Sequence, residues 1–376
     1  MSVTVMSVGD LVVDEPDPAS FFAPAAGTLR RGDVVIGHVE VPHSTTTAQV
    51  STDVPAPPAD PAALVAVAEA GFHIVTLAGN HVYDAGDEGV ADTIKYAQEA
   101  GLATAGAGLT LDEARRPAVV ERDGLRVGVL SYNCVGPRES WATSRKPGCA
   151  HVKVLTHYEL DHASPGGPPA VYTFADPAHL ERMADDVAAL AERADIVLVS
   201  LHKGVGHTPA VLAMYERPVA RAAIDAGAHA VFAHHAHIMR GIEVYRDRPI
   251  YHGLGNFVTV THALTPAGGD GDSAERAAWA RRRIELYGFA PDSAMPFYPF
   301  HPESRNTAIA VCRFDREGLV SAGFVPCWID DAGRPVPLGD GEEGRRVAGY
   351  IERITRQAGL DTAFAWDGDE VMVRRG

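Results

Sequence analysis

The chain has 376 residues, a formal net charge of −16, 46% hydrophobic residues and 22% charged residues. Those proportions describe a soluble globular chain with a full-sized core, arranged as one large domain or two ordinary ones. The acidic balance excludes nucleic acid and anionic lipid as partners, because phosphate groups are bound by a basic face.

The opening stretch, MSVTVMSVGDLVVDEPDP, holds no basic region followed by a long apolar run. No segment approaches the roughly 20 apolar residues of a membrane span, so the expectation is a cytoplasmic protein with no membrane contact. Cys134, Cys149, Cys312 and Cys327 are widely spaced, with no CxxC pair. They read as reduced thiols, with a Cys134–Cys149 bridge left open.

In chain order, apolar runs predict strands over 3–8, 33–38, 73–78, 125–133, 196–202, 230–234, 249–253 and 308–314. Between them, helical spacing marks 61–70, 84–100, 177–193 and 215–226, the last closed by Gly227. The alternation is that of an α/β architecture. Two Gly- and Pro-rich stretches interrupt it, 134–172 as long loops and 262–305 as a helix with a Pro-rich connection. A principal domain over 1–330 is expected, with 331–376 packed on it as an appendix that contains a helix over 344–357.

Polar residues capable of chemistry follow the strands. Asp10 comes after the first, His38 and Glu40 after the second, and Asn80 and His81 after the third. His202 closes a later strand, and the segment VFAHHAHIMRG crowds His234, His235 and His237 behind another. In α/β sheets ligands bind at the carboxyl ends of strands, so these residues are placed to converge.

Each motif has an ordinary alternative. Gly9–Asp10 also suits a plain turn, and Asp84 in LAGNHVYDAG can cap the following helix or hold His81 by a hydrogen bond. Lys203 in VSLHKGVGHTP can meet a substrate carboxylate or simply face solvent. In an extended segment alternate side chains share a face, which would pair His235 with His237 and leave His234 as a packed core histidine. The candidate metal ligands are Asp10, Glu40, Asn80, His202, His235 and His237. The candidate catalytic groups are Asp10, His81, Asp84, His202, His235 and His237, and the candidate substrate contacts are His38, Lys203, His207 and Arg305.

Taken together, SVGD, GHVE, LAGNH, VSLHKG, the run DAGAHAVFAHHAH through RGIEVYRDRPIYHGLGNF, and ESRNTAIAVCRFD resemble the poly-gamma-glutamate capsule synthesis (CapA) family. That family belongs to the calcineurin-like metallophosphatase-fold superfamily. The resemblance runs from about residue 3 to residue 329. It implies a four-layer α/β/β/α sandwich with a metal centre at one end of two sheets.

Departures from the superfamily pattern stand out. Asp10 is followed by LVV and not by the usual Asp-x-His, and GHVEVP offers Glu40 as the only carboxylate of the second loop. His38 stands where CapA members more often carry asparagine. The chain is thus short of ligands for a dinuclear phosphatase centre, and one divalent ion (Ca, Mn, Zn or Fe) is the economical expectation.

The leading expectation is a metal-dependent enzyme acting on a peptide or amino-acid-derived substrate. Its chemistry would be His/Asp acid–base work, either peptide Cα epimerisation or amide or gamma-glutamyl hydrolysis. A phosphoesterase for a small phosphorylated metabolite is the second reading. A non-catalytic capsule-assembly or binding protein with a vestigial metal site is the third.

Overall fold

The first strand runs over Val3–Val13, well past the expected end at residue 8. Leu11, Val12 and Val13 continue to pair with Val258, Thr259 and Val260, so Gly9 and Asp10 lie inside the strand and not in a turn behind it. The register shifts around Asp10 on both neighbours, which is a β-bulge. Val3 and Val5 face the other sheet, Met6 and Val8 face the helices, and beyond the bulge Leu11 and Val13 face the helices. Strict alternation would have sent Asp10 to the helix side with Met6 and Val8; the extra residue of the bulge turns it inward.

This computed structural model describes residues 2–50, 57–159, 170–262 and 273–376. A ten-stranded sheet runs in the order Thr362–Asp367, Glu370–Arg375, Gly318–Ile329, Asn306–Asp315, Val3–Val13, Val34–Val39, Ile74–Thr76 and Ala103–Ala105. Asn256–Val260 adds to the first strand and Pro335–Pro337 to Gly318–Ile329. A six-stranded sheet is ordered Ile242–Tyr245, Arg248–Tyr251, Ala230–His235, Ile196–Lys203, Leu125–Asn133 and Ala118–Arg122.

The two sheets pack face to face through alternate residues: Val5, Val34, Ile36 and Ile74 meet Val127, Val129, Ile196, Leu198 and Phe232 in one cluster. The helices Pro18–Leu29, Ala62–Ala70 and Gly86–Glu99 cover the outside of the larger sheet through Phe22, Leu29, Leu64, Val67 and Val90. Pro177–Ala191 and Glu216–Asp225 cover the smaller sheet through Met183, Val187 and Val219. The result is a four-layer α/β/β/α sandwich, the order that the family resemblance implies.

The helix Pro18–Leu29 was not expected, since Pro24 and Gly27 argue against it. It forms because Phe22, Ala25, Ala26 and Leu29 make one buried face. Residues 331–376 are built into this body: the helix Glu342–Gln357 sends Val347, Ile351 and Ile354 into the inter-sheet core, and the terminal hairpin extends the larger sheet. The expected loops of 134–172 contain a hairpin, Val154–Glu159 with Ala170–Ala175. The part of the 262–305 connection at 263–272 lies outside the described residues.

All four cysteines are buried free thiols, which closes the Cys134–Cys149 alternative. Among the described residues no helix is long and apolar enough to cross a membrane.

The bulge depends on glycine. A Cβ at Gly9 would collide with the Gly255 carbonyl, which also accepts the Asp10 N–H at 2.8 Å. The Gly9→Ala variant is therefore expected to lose about 3 kcal/mol or more, read from its urea midpoint, since backbone on both sides prevents relaxation.

Candidate metal centre

His38 and Glu40 leave the end of Val34–Val39 on the inner face, and His202 continues the inward series Ile196, Leu198 and Ser200. His235 and His237 arrive differently from the expected alternation in an extended strand. The strand ends at His235, and both histidines adopt left-handed backbone, φ 85° and 52°. Strict alternation would carry His235 outward with Val231 and Ala233, so the left-handed turn is what brings it in.

The side chains converge tightly. His202 Nε2 lies 2.7 Å from Asn80 Oδ1, 3.1 Å from His235 Nδ1 and 4.0 Å from Glu40 Oε1. His237 Nε2 lies 3.3 Å from Glu40 Oε1, and its Nδ1 lies 3.5 Å from Asp10 Oδ2. The backbone N–H of His235 donates to Asp10 at 3.3–3.4 Å. Three donor sets each gather their ligand atoms within 4.8 Å: Asp10, His38 and His202; Glu40, His202 and His235; Asp10, Glu40 and His237.

Whether these residues suit a metal is tested by their unsatisfied atoms. Glu40 Oε2, His38 Nε2 and His202 Nδ1 are buried without a hydrogen-bond partner, and Glu40 Oε1 has the 3.3 Å ion-pair contact with His237 Nε2. Native interiors rarely tolerate such atoms, and a carboxylate is the most costly of them. A cation among them supplies the missing interaction, so the residues fit. Imidazoles with carboxylates and one amide oxygen suit Mn, Fe or Zn better than the all-oxygen shell of Ca.

The electrostatics point the same way. Burial, and then the charge of Glu40, push the Asp10 carboxyl well up. Burial also raises Glu40, but the opposed charge of His237 outweighs it and leaves Glu40 at about 2. Burial lowers His237, yet Glu40 and then Asp10 carry it up to about 9. His38 and His202 are driven well down by burial and by neighbouring imidazoles, and His235 falls to about 3 for the same reasons. The centre thus holds three imidazoles that keep their lone pairs and two carboxylates that demand positive charge.

His81 acts electrostatically on Glu40 and His235 of this set, and its Nδ1 donates to Asp84 Oδ2 at 2.6 Å. The following helix begins at Gly86 with Ala85 as its cap, so Asp84 orients His81 and does not close the helix. His234 is held between Ser200 Oγ at 3.2 Å and the Val8 carbonyl at 3.0 Å, a structural place. His207 packs against His237 with ring centroids 5.9 Å apart.

Two expected substrate contacts are not brought to the cluster. Lys203 follows His202 on the strand and therefore faces the helix layer, where its Nζ lies 2.9 Å from Glu216 and 3.1 Å from His252 Nδ1. Arg305 donates to the Ile329 carbonyl at 2.8 Å and to Asp331 at 2.6 Å, with its guanidinium over Trp328. His38 lies inside the cluster, stacked on His234 at 4.8 Å and beside His202 at 4.6 Å, deeper than a substrate contact requires.

Sequence reasoning missed Asn256, whose Oδ1 accepts from His237 Nδ1 at 2.9 Å while its Nδ2 donates to Tyr298. Its signal was available: Asn256 follows the glycine turn of HGLGNF and opens the strand that pairs with Asp10. Gly79 was also missed. A Cβ there would sit 3.1 Å from His38 Nε2, so glycine lets the third strand's exit lie against both imidazoles.

Residues 4–261 match the family described as "Bacterial capsule synthesis protein PGA_cap". A "Probable polyglutamine synthesis accessory protein" of Mycobacterium tuberculosis is 36% identical over 193 residues, covering 50% of this chain and 45% of the relative. "Capsule biosynthesis protein CapA" of Bacillus anthracis is 30% identical over 193 residues, covering 51% of this chain and 41% of the relative. The matched segment thus spans less than half the length of these curated relatives. Among solved structures, the calcineurin-like phosphoesterase YfkN of Bacillus subtilis aligns over 95% of this chain and 97% of its own, at 11% identity and a TM-score of 0.44. The strand-end cluster sits within the matched region, and the chain belongs to the bacterial capsule synthesis protein family.

Proposed function

We propose that the chain is a metal-dependent enzyme that hydrolyses an amide bond in a peptide or amino-acid-derived substrate. The observation that carries this is the His81–Asp84 pair, 2.6 Å apart, whose charge acts on Glu40 and His235 of the donor cluster. Glu40, Asn80, His202 and His235 would hold one ion, while Asp10 and His237 bind on the other side of Glu40. Such an ion polarises the substrate carbonyl and makes water nucleophilic near neutral pH.

The side chains account for the protons. Water attacks the amide carbon and loses one proton to the Asp10 carboxylate, whose proton affinity burial raises. The C–N bond breaks, and the leaving nitrogen takes a proton from His81. Asp84 keeps the imidazole oriented. The name of one relative points to polyglutamine, which is joined by amide bonds; this supports the substrate class and leaves the polymer open.

Cα epimerisation is the second reading, favoured by His207 reaching the cluster from a different segment than His81, as two-sided proton transfer needs. Incubating the Mn-loaded chain with alpha- and gamma-linked glutamyl dipeptides in deuterium oxide separates the two. New amine ends support hydrolysis, and Cα deuteration without cleavage supports epimerisation. Turnover of an aryl phosphate with neither peptide change overturns both.

For the active substrate, His81→Ala is expected to cut turnover by about 10²–10⁴-fold while bound metal stays at the wild-type level. A metal count of two per chain would replace the single-ion assignment with a pair sharing Glu40.

A further inference from the structure

His207 is held in an unusual way for a loop residue. Its backbone is left-handed, φ 57°, and its N–H donates to the Ala236 carbonyl at 2.8 Å, between the two inward histidines. The loop behind it is pinned by Arg240, which donates to the carbonyls of Val205 and Val211, and by Glu216, which accepts from Ala213 N–H at 2.7 Å. Strained backbone kept in place by such fixings is concentrated at functional positions.

Around His207 stands an aromatic wall. Tyr287 and Phe289 meet its ring edge-on, each at 4.9 Å, and Phe300 lies 6.1 Å from it and 4.9 Å from His237. Phe300 belongs to a buried cluster with Met295, Tyr298 and Ile329. Tyr287 and Phe289 belong to none of the core clusters among the described residues, and Tyr287 is 38% exposed. Burial of a core therefore does not explain them. His207 Nδ1 is buried with no hydrogen-bond partner. The wall adjoins His237, whose side chain keeps 17% exposure where Asp10 and Glu40 keep 0–1%, so the cluster is approached from this side.

We propose that His207, Tyr287, Phe289 and Phe300 form a specificity subsite that takes an apolar or aromatic residue next to the reacting amide, with the His207 imidazole hydrogen-bonding that residue's amide. This rests on the reading of the centre as a peptide-handling site. Aromatic rings in edge-to-face contact bind another ring or an aliphatic chain well. A carboxylate side chain placed against them loses hydration, and the cation beside them, Arg283, already donates to the Pro299 carbonyl and lies over the Tyr287 ring. The consequence is selectivity against a pure glutamate polymer and for a mixed peptide.

The test uses the full Mn-loaded chain, titrated calorimetrically with gamma-glutamyl-phenylalanine and with gamma-glutamyl-glutamate. The phenylalanine peptide is expected to bind about tenfold or more tightly. Two variants locate the preference: His207→Asn, which tolerates left-handed backbone and removes the ring, and Phe289→Ala, which leaves the loop untouched. Phe289→Ala is expected to weaken the phenylalanine peptide by about tenfold and to leave the glutamate peptide within about twofold, while His207→Asn, which also loses the amide hydrogen bond common to both, is expected to weaken both and the phenylalanine peptide more. Equal affinities, a preference for glutamate, no binding of either peptide, or a preference unchanged in both variants overturns the subsite. Peptide recovered uncleaved, with the preference intact, counts against hydrolysis and leaves the subsite standing.

Discussion

Glu40→Gln is expected to strip the protein of its metal. Glu40 is a member of two of the three donor sets; its Oε2 is buried without a hydrogen-bond partner and its Oε1 faces His237 Nε2 at 3.3 Å. An amide keeps the shape but loses the charge and one acceptor, and a hard or borderline cation loses its strongest ligand. Metal content by mass spectrometry should fall from about one equivalent to background. The Mn-dependent gain in melting temperature should vanish with it; at a hundredfold excess over Kd that gain corresponds to about 2.7 kcal/mol in the wild type. The variant should still fold, because removing this charge relieves its repulsion on Asp10. Retention of a full equivalent of metal would show that the centre is not built around Glu40.

Glu216→Leu is expected to produce the largest loss of stability. Lys203, Glu216 and Arg240 are all 0% exposed, with Nζ of Lys203 at 2.9 Å and NH2 of Arg240 at 3.2 Å from the two Glu216 oxygens. Burial pulls the Lys203 ammonium down in spite of Glu216, while Glu216, facing two cations, drops from its ordinary 4.5 to about 2 against its own burial. The two partners disagree on how much the pair favours charge. The short contacts and the second cation argue for the ionised pair.

Leucine at 216 leaves two buried cations without a counter-charge, a change worth about 3–5 kcal/mol, read from the urea midpoint. Lys203→Met in the same chain should restore a large part of it, because it removes the stranded charge. A loss below about 1 kcal/mol would mean that the network is hydrated. The sign of the pH effect follows from the lowered value. The contribution of Glu216 is complete above about 4.5 and is lost as pH falls toward about 2, on the order of 3 kcal/mol over that window.

The same network explains why Lys203 misled. From sequence, a lysine beside a strand-end histidine looks available to substrate. On the strand, adjacent residues face opposite ways, so the inward place of His202 itself sends Lys203 to Glu216. His252, which opens the segment HGLGNF, is drawn into this network by Lys203 and Glu243. Arg305 misled for a different reason, since its partners Ile329 and Asp331 become neighbours only when Asn306–Asp315 pairs with Gly318–Ile329.

The sequence by itself determined the layers and the strand ends. Runs such as Leu125–Asn133 and Ile196–Lys203 are apolar on both faces, and a strand buried between a second sheet and a helix layer has to be so. It also placed His38, Glu40, Asn80, His81, His202 and the histidine pair at the ends of strands, because residue order along one strand is a local property, whereas Asp10, expected behind the first strand, lies within it. Only the tertiary structure decided which way those side chains point. Asp10 turns inward through a bulge that needs Gly9 against Gly255, and His235 and His237 turn inward on left-handed backbone. Asn256 joins them because its strand pairs with the first one. Each of these directions is set by contacts between segments more than 200 residues apart or by backbone dihedrals that the residue type permits without requiring, so hydrophobic periodicity carries no record of them.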